Sequence, residues 1–229
     1  FTSCCPGWVS FIKTQYPELT PLLSTAKSPQ QMFGAIAKTY FANKLGFESS
    51  RIFSLSIMPC TAKKQEAALP GMNAAGSGQD VDLVLTMREL SRFLRAYHIN
   101  PAETTECAFD SPIGTGSGAG IIFGASGGVM EAALRSSYYL VTGKNPDPET
   151  FKSIRQTERS ANETDGDNSS KAVPLREISF ELNGIEVNAA VISGLGNARQ
   201  IIEDILRKSK AEGGYTGYDF IEVMACPGG

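Results

Sequence analysis

Polar and apolar positions switch between two periods along the chain, and the switches mark the predicted elements. Over residues 1–48 the period is helical, in two pieces. One helix follows Pro6-Gly7 and carries Trp8, Phe11 and Ile12. The next starts at Ser28, with Pro29 at the first helical position and Gln31 completing a capping box. Its residues Met32, Phe33, Ile36, Ala37 and Tyr40 recur at helical spacing and predict an apolar face. Residues 52–58 read as a strand that ends at Pro59-Cys60. A short strand over 81–85 runs into a helix capped by Thr86, with Glu89 three residues on. That helix carries Leu90, Phe93, Leu94 and Tyr97. A Gly-rich loop follows at 114–120. After Gly127-Gly128 a helix carries Val129, Met130, Ala133, Leu134 and Tyr138 and stops at Gly143. Residues 144–172 are polar and turn-rich, which predicts an exposed loop. Strand patterns over 178–182 and 185–192 flank Asn183-Gly184, a strong hairpin signal. A helix over 197–208, with Ile201, Ile202 and Ile205 inward, precedes a last strand over 220–224 that delivers Cys226. Strands alternating with helices predict an α/β fold whose strand ends feed the cysteines.

The 229 residues are enough for one large domain or two small ones. A net charge of -3 argues against a nucleic-acid partner, which calls for a basic excess. No apolar run approaches the roughly 18 residues of a membrane span. The chain opens on Phe1-Thr2-Ser3-Cys4-Cys5 and closes on Ala225-Cys226-Pro227-Gly228-Gly229. Both ends lie in its most chemically loaded segments, so it reads as an internal fragment of a longer protein.

Five cysteines, an odd number, fit a disulfide framework poorly. The single His98 argues against a Cys2His2 zinc site. Three cysteines abut proline: Cys5-Pro6, Pro59-Cys60 and Cys226-Pro227. Proline sets the turn and the neighbouring glycines let backbone approach a bulky inorganic group, which is how iron–sulfur ligand loops are built. Thiolates are soft ligands that suit iron and sulfide. The spacings are long, with no Cys-x-x-Cys pair, so zinc-ribbon and ferredoxin readings fail. On spacing alone, buried structural thiols remain an equal alternative. The glycines at 114–120 lack the strand–loop–helix context of a dinucleotide site. Cys107 reads as a structural thiol, and His98, at a helix end, as a residue with no catalytic role.

The words around the three cysteines carry a resemblance. They are Thr2-Ser3-Cys4-Cys5-Pro6-Gly7-Trp8, Met58-Pro59-Cys60-Thr61-Ala62-Lys63-Lys64-Gln65-Glu66, and Glu222-Val223-Met224-Ala225-Cys226-Pro227-Gly228-Gly229. In that order they resemble the three signature motifs of the iron-only (FeFe) hydrogenases. The segment from Phe123-Gly124-Ala125-Ser126-Gly127-Gly128 onward is similar to the same family.

The resemblance implies that residues 1–229 are a catalytic domain of two α/β lobes, with strands and helices alternating around a buried cluster site. It implies an H-cluster: a 4Fe–4S cubane linked to a diiron unit with CO, cyanide and a dithiolate bridge. Cys5, Cys60 and Cys226 match cubane ligands, and the fourth ligand of the family lies just beyond Gly229. Cys4 matches a proton-relay thiol, and Ser24 a hydroxyl further along the same route. Lys63 matches a donor to cyanide. Met58 and Met224 match methionines beside the diiron unit; Gln30 and Phe123 fall near the diatomic ligands. Glu66 is expected to pair with Lys63 or its loop, and Lys64 to be a solvated charge. The implied reaction is reversible reduction of protons to H2, with ferredoxin or another carrier supplying electrons. Maturation proteins would install the diiron unit, and the cytoplasm is the expected compartment. Two other readings are a hydrogen-sensing regulatory domain and a cytosolic iron–sulfur assembly protein. Cys4 argues against the first and the complete motifs against the second.

Overall fold

The computed structural model describes residues 1–111, 113–154, 175–212 and 217–226. Along the chain it forms α1 (Pro6–Gln15), a 3-10 segment (Pro17–Leu22), α2 (Pro29–Ile36), a π turn (Ala37–Phe41) and α3 (Ala42–Leu45). There follow β1 (Leu55–Met58), α4 (Ala62–Ala67), β2 (Leu83–Thr86), α5 (Met87–Ala96), α6 (Gly118–Ile122) and α7 (Gly128–Thr142). The last elements are β3 (Leu175–Leu182), β4 (Ile185–Ser193), α8 (Leu195–Glu212) and β5 (Phe220–Met224). The chain divides into two compact units, one of Phe1–Ser24 with Gly116–Gly229, the other of Thr25–Thr115.

The first unit is built on the sheet β3-β4-β5, with β3 and β4 antiparallel and β4 and β5 parallel. Asn183 and Gly184 both take positive φ (52° and 82°). Type I′ turns require that, and it lets a two-residue loop join β3 to β4. The period of two in β4 sends its side chains to two cores. Ala190 and Ile192 join Trp8 and Ile12 of α1, Ala198, Ile202 and Ile205 of α8, and Ile221 and Val223 of β5. Ala189 and Val191 join Met130 and Leu134 of α7, together with Phe151 and Ile154. Helices therefore cover both faces of the sheet. Burying each large aliphatic side chain here contributes about 1.5–3 kcal/mol. Phe151 and Ile154 are fully buried. Within the exposed loop expected over 144–172, residues 144, 145 and 147–150 are exposed, while Pro146, Phe151 and Ile154 are buried and the last two close the α7 core; residues 155–172 lie outside the described residues.

The second unit holds the parallel pair β1-β2, with Leu55 opposite Leu83 and Met58 opposite Thr86. Its small core joins Ala67 of α4, Val81, Val84 and the partly buried Met58. Apart from Ala37, the apolar repeat of α2 does not turn inward: Phe33 is 53% and Tyr40 58% exposed, while Gln31, Gly34 and Lys38 are buried. The inward face is set by the segment leading into β2. A Cβ at Gly34 would lie 2.3 Å from the carbonyl oxygen of Asp80. Lys38 donates to the Gln79 carbonyl at 2.6 Å and pairs with Asp82 at 2.7 Å. Buried Asp80 pairs with Lys27 at 2.9 Å and accepts the Ala75 N–H. Burial pushes the Asp80 carboxyl up, yet the Lys27 hydrogen bond, the N–H groups of Ala74 and Ala75 and the Lys27 charge together hold it below its ordinary value.

The capping box of α5 forms as expected, with the Glu89 N–H donating to Thr86 Oγ1 and the Thr86 N–H to Glu89 Oε2. Lys64, its side chain 39% exposed, is more than a solvated charge. It donates to the Val84 carbonyl at 2.9 Å and pairs with Glu89 at 2.8 Å. The Lys64 hydrogen bond, then those from the Thr86 N–H and hydroxyl, hold the Glu89 carboxyl at about 2. A depressed carboxylate contributes stability above its unfolded value and loses it as pH falls through the folded one. Glu89→Gln is therefore expected to melt below the parent at neutral pH. The gap should close as pH falls from about 4.5 toward about 2; melting curves across that window check it, and a constant gap would refute the assignment.

Candidate metal centre

In the first unit, the amino-terminal segment is sewn along β5. The Thr2 N–H donates to the Ile221 carbonyl at 2.9 Å, and the Val223 N–H donates to Thr2 Oγ1 at 3.2 Å. Trp8 Nε1 donates to the Thr2 carbonyl at 3.0 Å and anchors the segment over the core. Two more bonds tie it to residues 22–24: the Phe1 ammonium to the Leu22 carbonyl, and the Ser24 N–H to the Phe1 carbonyl. Cys4 and Cys5 therefore arrive where β5 ends and Cys226 begins. Cys5 is the N-cap of α1, with Pro6 at the first helical position. Its carbonyl accepts the Val9 N–H, while its sulfur accepts the N–H of Ala225 at 3.4 Å. A Cβ at Gly7 would stand 3.0 Å from that of Ala225, so glycine allows the close approach.

In the second unit, Glu66 is 5% exposed and gathers three donors on Oε2. Ser28 Oγ and Gln30 Nε2 each donate at 2.9 Å, and Lys63 Nζ at 3.1 Å. Gln30 Nε2 also reaches the Lys63 carbonyl at 3.2 Å, and Ser56 Oγ donates to Gln30 Oε1 at 2.8 Å. The motif spacing makes this possible, since Lys63 and Glu66 lie three apart on one face of α4. The pairing of Glu66 with Lys63 is as expected, while the capping box expected between Ser28 and Gln31 is diverted: the Ser28 hydroxyl serves Glu66 instead. Ser28 and Ser56 were missed by sequence reasoning, because a lone serine carries no signal until its partner is known. Cys60 follows β1 by two residues, as Cys226 follows β5. The carboxyl ends of parallel strands are where α/β folds place ligands.

The expected residues thus fall into two groups. Cys4, Cys5, Ser24, Phe123, Met224 and Cys226 belong to the first unit; Gln30, Met58, Cys60, Lys63 and Glu66 belong to the second. Within the units, Cys4, Cys5 and Cys60 are half-buried and Cys226 is exposed, at strand and helix ends, with Cys5 packed against the edge of the α1 core. Phe123 ends α6 and is 38% exposed. Among the described residues, no three His, Cys, Asp or Glu side chains gather at single-ion distance. Each ligand of a four-iron cluster takes its own iron, so its thiolates stand further apart than those around one ion. The donor set fits such a cluster: thiols outside any disulfide, on proline turns, one of them receiving a backbone N–H.

The chain matches, over residues 1–229, a family model described as the C-terminal domain of the iron only hydrogenase large subunit. It is 41% identical, over its full length, to the periplasmic Fe hydrogenase large subunit of Nitratidesulfovibrio vulgaris, and spans 49% of that protein. It is 43% identical to an NADP-reducing hydrogenase subunit of Solidesulfovibrio fructosivorans, again over its full length, and spans 35% of it. The chain therefore covers a third to a half of these relatives. A solved apo FeFe-hydrogenase from Chlamydomonas reinhardtii superposes with a TM-score of 0.72 at 35% identity, covering 99% of this chain and 59% of that one.

Glu66→Ala leaves three donors facing an apolar side chain and removes the carboxylate that pairs with the mostly buried Lys63, and is expected to cost about 1–3 kcal/mol. The double variant with Lys63→Met should lose less than the sum of the two single losses, because both substitutions remove the same ion pair. Urea unfolding of the parent, both single variants and the double variant measures the coupling. Strictly additive losses would show that the two side chains do not interact.

Proposed function

The chain belongs to the family formed by the C-terminal domain of the iron only hydrogenase large subunit, and from that premise we propose that it is the cluster-bearing part of an enzyme that reversibly reduces protons to H2. The observation that carries the reading is the N–H of Ala225 on the sulfur of Cys5, 220 residues away. It joins two of the three cysteine motifs at one strand end, with the backbone donor that an iron–sulfur thiolate uses. Cys5, Cys60 and Cys226 would hold the cubane of an H-cluster. When bound, the cluster supplies the redox chemistry that joins two protons and two electrons.

The protein's own residues bind, orient and move protons. Cys4 would hand a proton to the centre and be refilled from solvent, as a positioned thiol can. Ser24 would extend that route. Lys63 would supply a charge-assisted hydrogen bond to a cyanide ligand, with Glu66 holding the ammonium in position. Met58 and Met224 offer polarizable thioethers that exclude water without competing as strong ligands. Gln30 and Phe123 complete the surroundings of the diatomic ligands. Electrons would come from ferredoxin or another carrier, and maturation proteins would install the diiron unit; the compartment is the cytoplasm or, as for the periplasmic relative, outside it. Among the described residues, no helix is long and apolar enough to cross a membrane.

In the full-length matured protein, replacing Cys5, Cys60 or Cys226 by Ala is expected to abolish both cubane iron and H2 evolution. Normal iron in any one variant would strike that residue from the ligand set. Iron–sulfur content in the parent without infrared CO and cyanide bands would favour the assembly-protein reading.

Relay and ligand are separated at the adjacent pair. Cys4→Ser is expected to keep full iron and its infrared bands while turnover falls by about a hundredfold or more, the usual worth of a positioned proton donor. Cys4→Asp restores a titratable proton and should recover part of the rate. Loss of iron in Cys4→Ser would make Cys4 a ligand, and unchanged turnover would move the relay elsewhere.

A further inference from the structure

Glu222 and Met224 share one face of β5, and the N-terminus of α7 packs over that face. Glu222 is fully buried. Its Oε1 accepts the N–H of Gly127 at 2.9 Å and its Oε2 that of Met130 at 2.6 Å. These donors open α7, where the helix dipole favours negative charge. Burial pushes the Glu222 carboxyl up, against the downward pull of the two N–H groups and of Arg176. Arg176, from β3, grips the same turn: it donates to the carbonyl and hydroxyl of Ser126 at 3.3 and 2.7 Å. The Ser126 hydroxyl lies 3.1 Å from that of Ser193, which stands opposite Met224 in the sheet.

Backbone contacts leave this turn one position. A Cβ at Gly127 would lie 2.3 Å from the Ile154 carbonyl oxygen, and one at Gly128 would lie 1.8 Å from that of Ile122. Phe123 opens the turn. Met224 and Cys226 follow Glu222 along the strand. A buried carboxylate on β5 and a half-buried guanidinium on β3, with β4 between them, thus hold one short turn over the sheet. An apolar pair would pack the sheet as well without aiming the turn, since charged hydrogen bonds are directional and dispersion is not.

We propose that Glu222 and Arg176 are positioning residues of the metal centre: through Gly127, Met130 and Ser126 they lock the turn that bears Phe123 to the strand that bears Met224 and Cys226. The inference rests on the cluster-facing reading of Phe123, Met224 and Cys226, and adds to it two residues that need not touch the cluster.

The test is Glu222→Gln and Arg176→Lys in the full-length matured protein, read by iron content, CO and cyanide infrared bands, H2 evolution and melting temperature. Glutamine keeps the shape and one acceptor but sets an amide N–H against a backbone N–H. Lysine keeps the charge but loses the two-pronged grip on Ser126. The expected result is full iron, displaced infrared bands and turnover lower by about 10- to 100-fold, as for other groups that orient a metal site from outside it. Variants that melt lower yet keep the parent's bands and turnover overturn the proposal, because a purely structural role moves only stability. If Glu222→Gln does not fold, Arg176→Lys decides by the same criterion. A parent protein without CO and cyanide bands overturns the functional reading and this inference with it, and that result needs no variant to be recognised.

Discussion

Thr2 beside β5 is the pairing on which the candidate centre depends. A two-point attachment, one bond from the Thr2 N–H and one to the Thr2 hydroxyl, joins the first residues of the chain to nearly the last, and everything chemical in the first unit hangs from it. It seats Trp8 over the sheet, starts α1 at Cys5, and sets the Cys5 sulfur against the Ala225 N–H. Contacts of such sequence separation carry the largest loop-closure cost. The apolar cluster of α1, β4, α8 and β5 offsets that cost, so a hydrophobic core underwrites a polar juxtaposition.

Buried charge is the second organising feature, and in each unit it is satisfied by design of the local backbone. Glu222 sits in a strand core because the first N–H groups of α7 need an acceptor there. Glu66 is tolerated because one lysine, one amide and one hydroxyl converge on it. Lys38 is buried against Asp82 and a carbonyl, Asp80 against Lys27 and backbone N–H groups. Such groups are costly to desolvate and costlier to strand, so each constrains its neighbours to a single arrangement. For a site that must orient ligands with hydrogen bonds, that constraint is useful.

Local patterns were legible where the local chain supplies both partners. The Asn183-Gly184 hairpin, the Thr86–Glu89 capping box, the Gly143 stop of α7 and the Lys63–Glu66 pair all involve neighbours a few positions apart. Reading failed where a distant group competed. Ser28 was expected to cap its own helix and Lys64 to face solvent; a carboxylate 38 residues on claims the first, and a strand carbonyl with a helix-cap glutamate claims the second. The apolar face of α2 failed in the same way. Its periodicity was real, but Gly34 and Lys38 on another face had the closer partners in the segment before β2.

By itself, then, the sequence determined the family, the α/β class, the order of the elements and the residue types that chemistry requires. Each of those is carried by short words, whether a helical period, a turn dipeptide or a cysteine beside proline, and short words act through neighbours along the chain. Only the tertiary structure decided that Cys5 meets the end of β5, that Ser28 and Ser56 serve the Lys63–Glu66 site, and that Glu222 and Arg176 grip one turn between them. A hydrogen bond depends on distance and direction in space. Groups dozens or hundreds of residues apart acquire both only when the sheet and its two cores have formed.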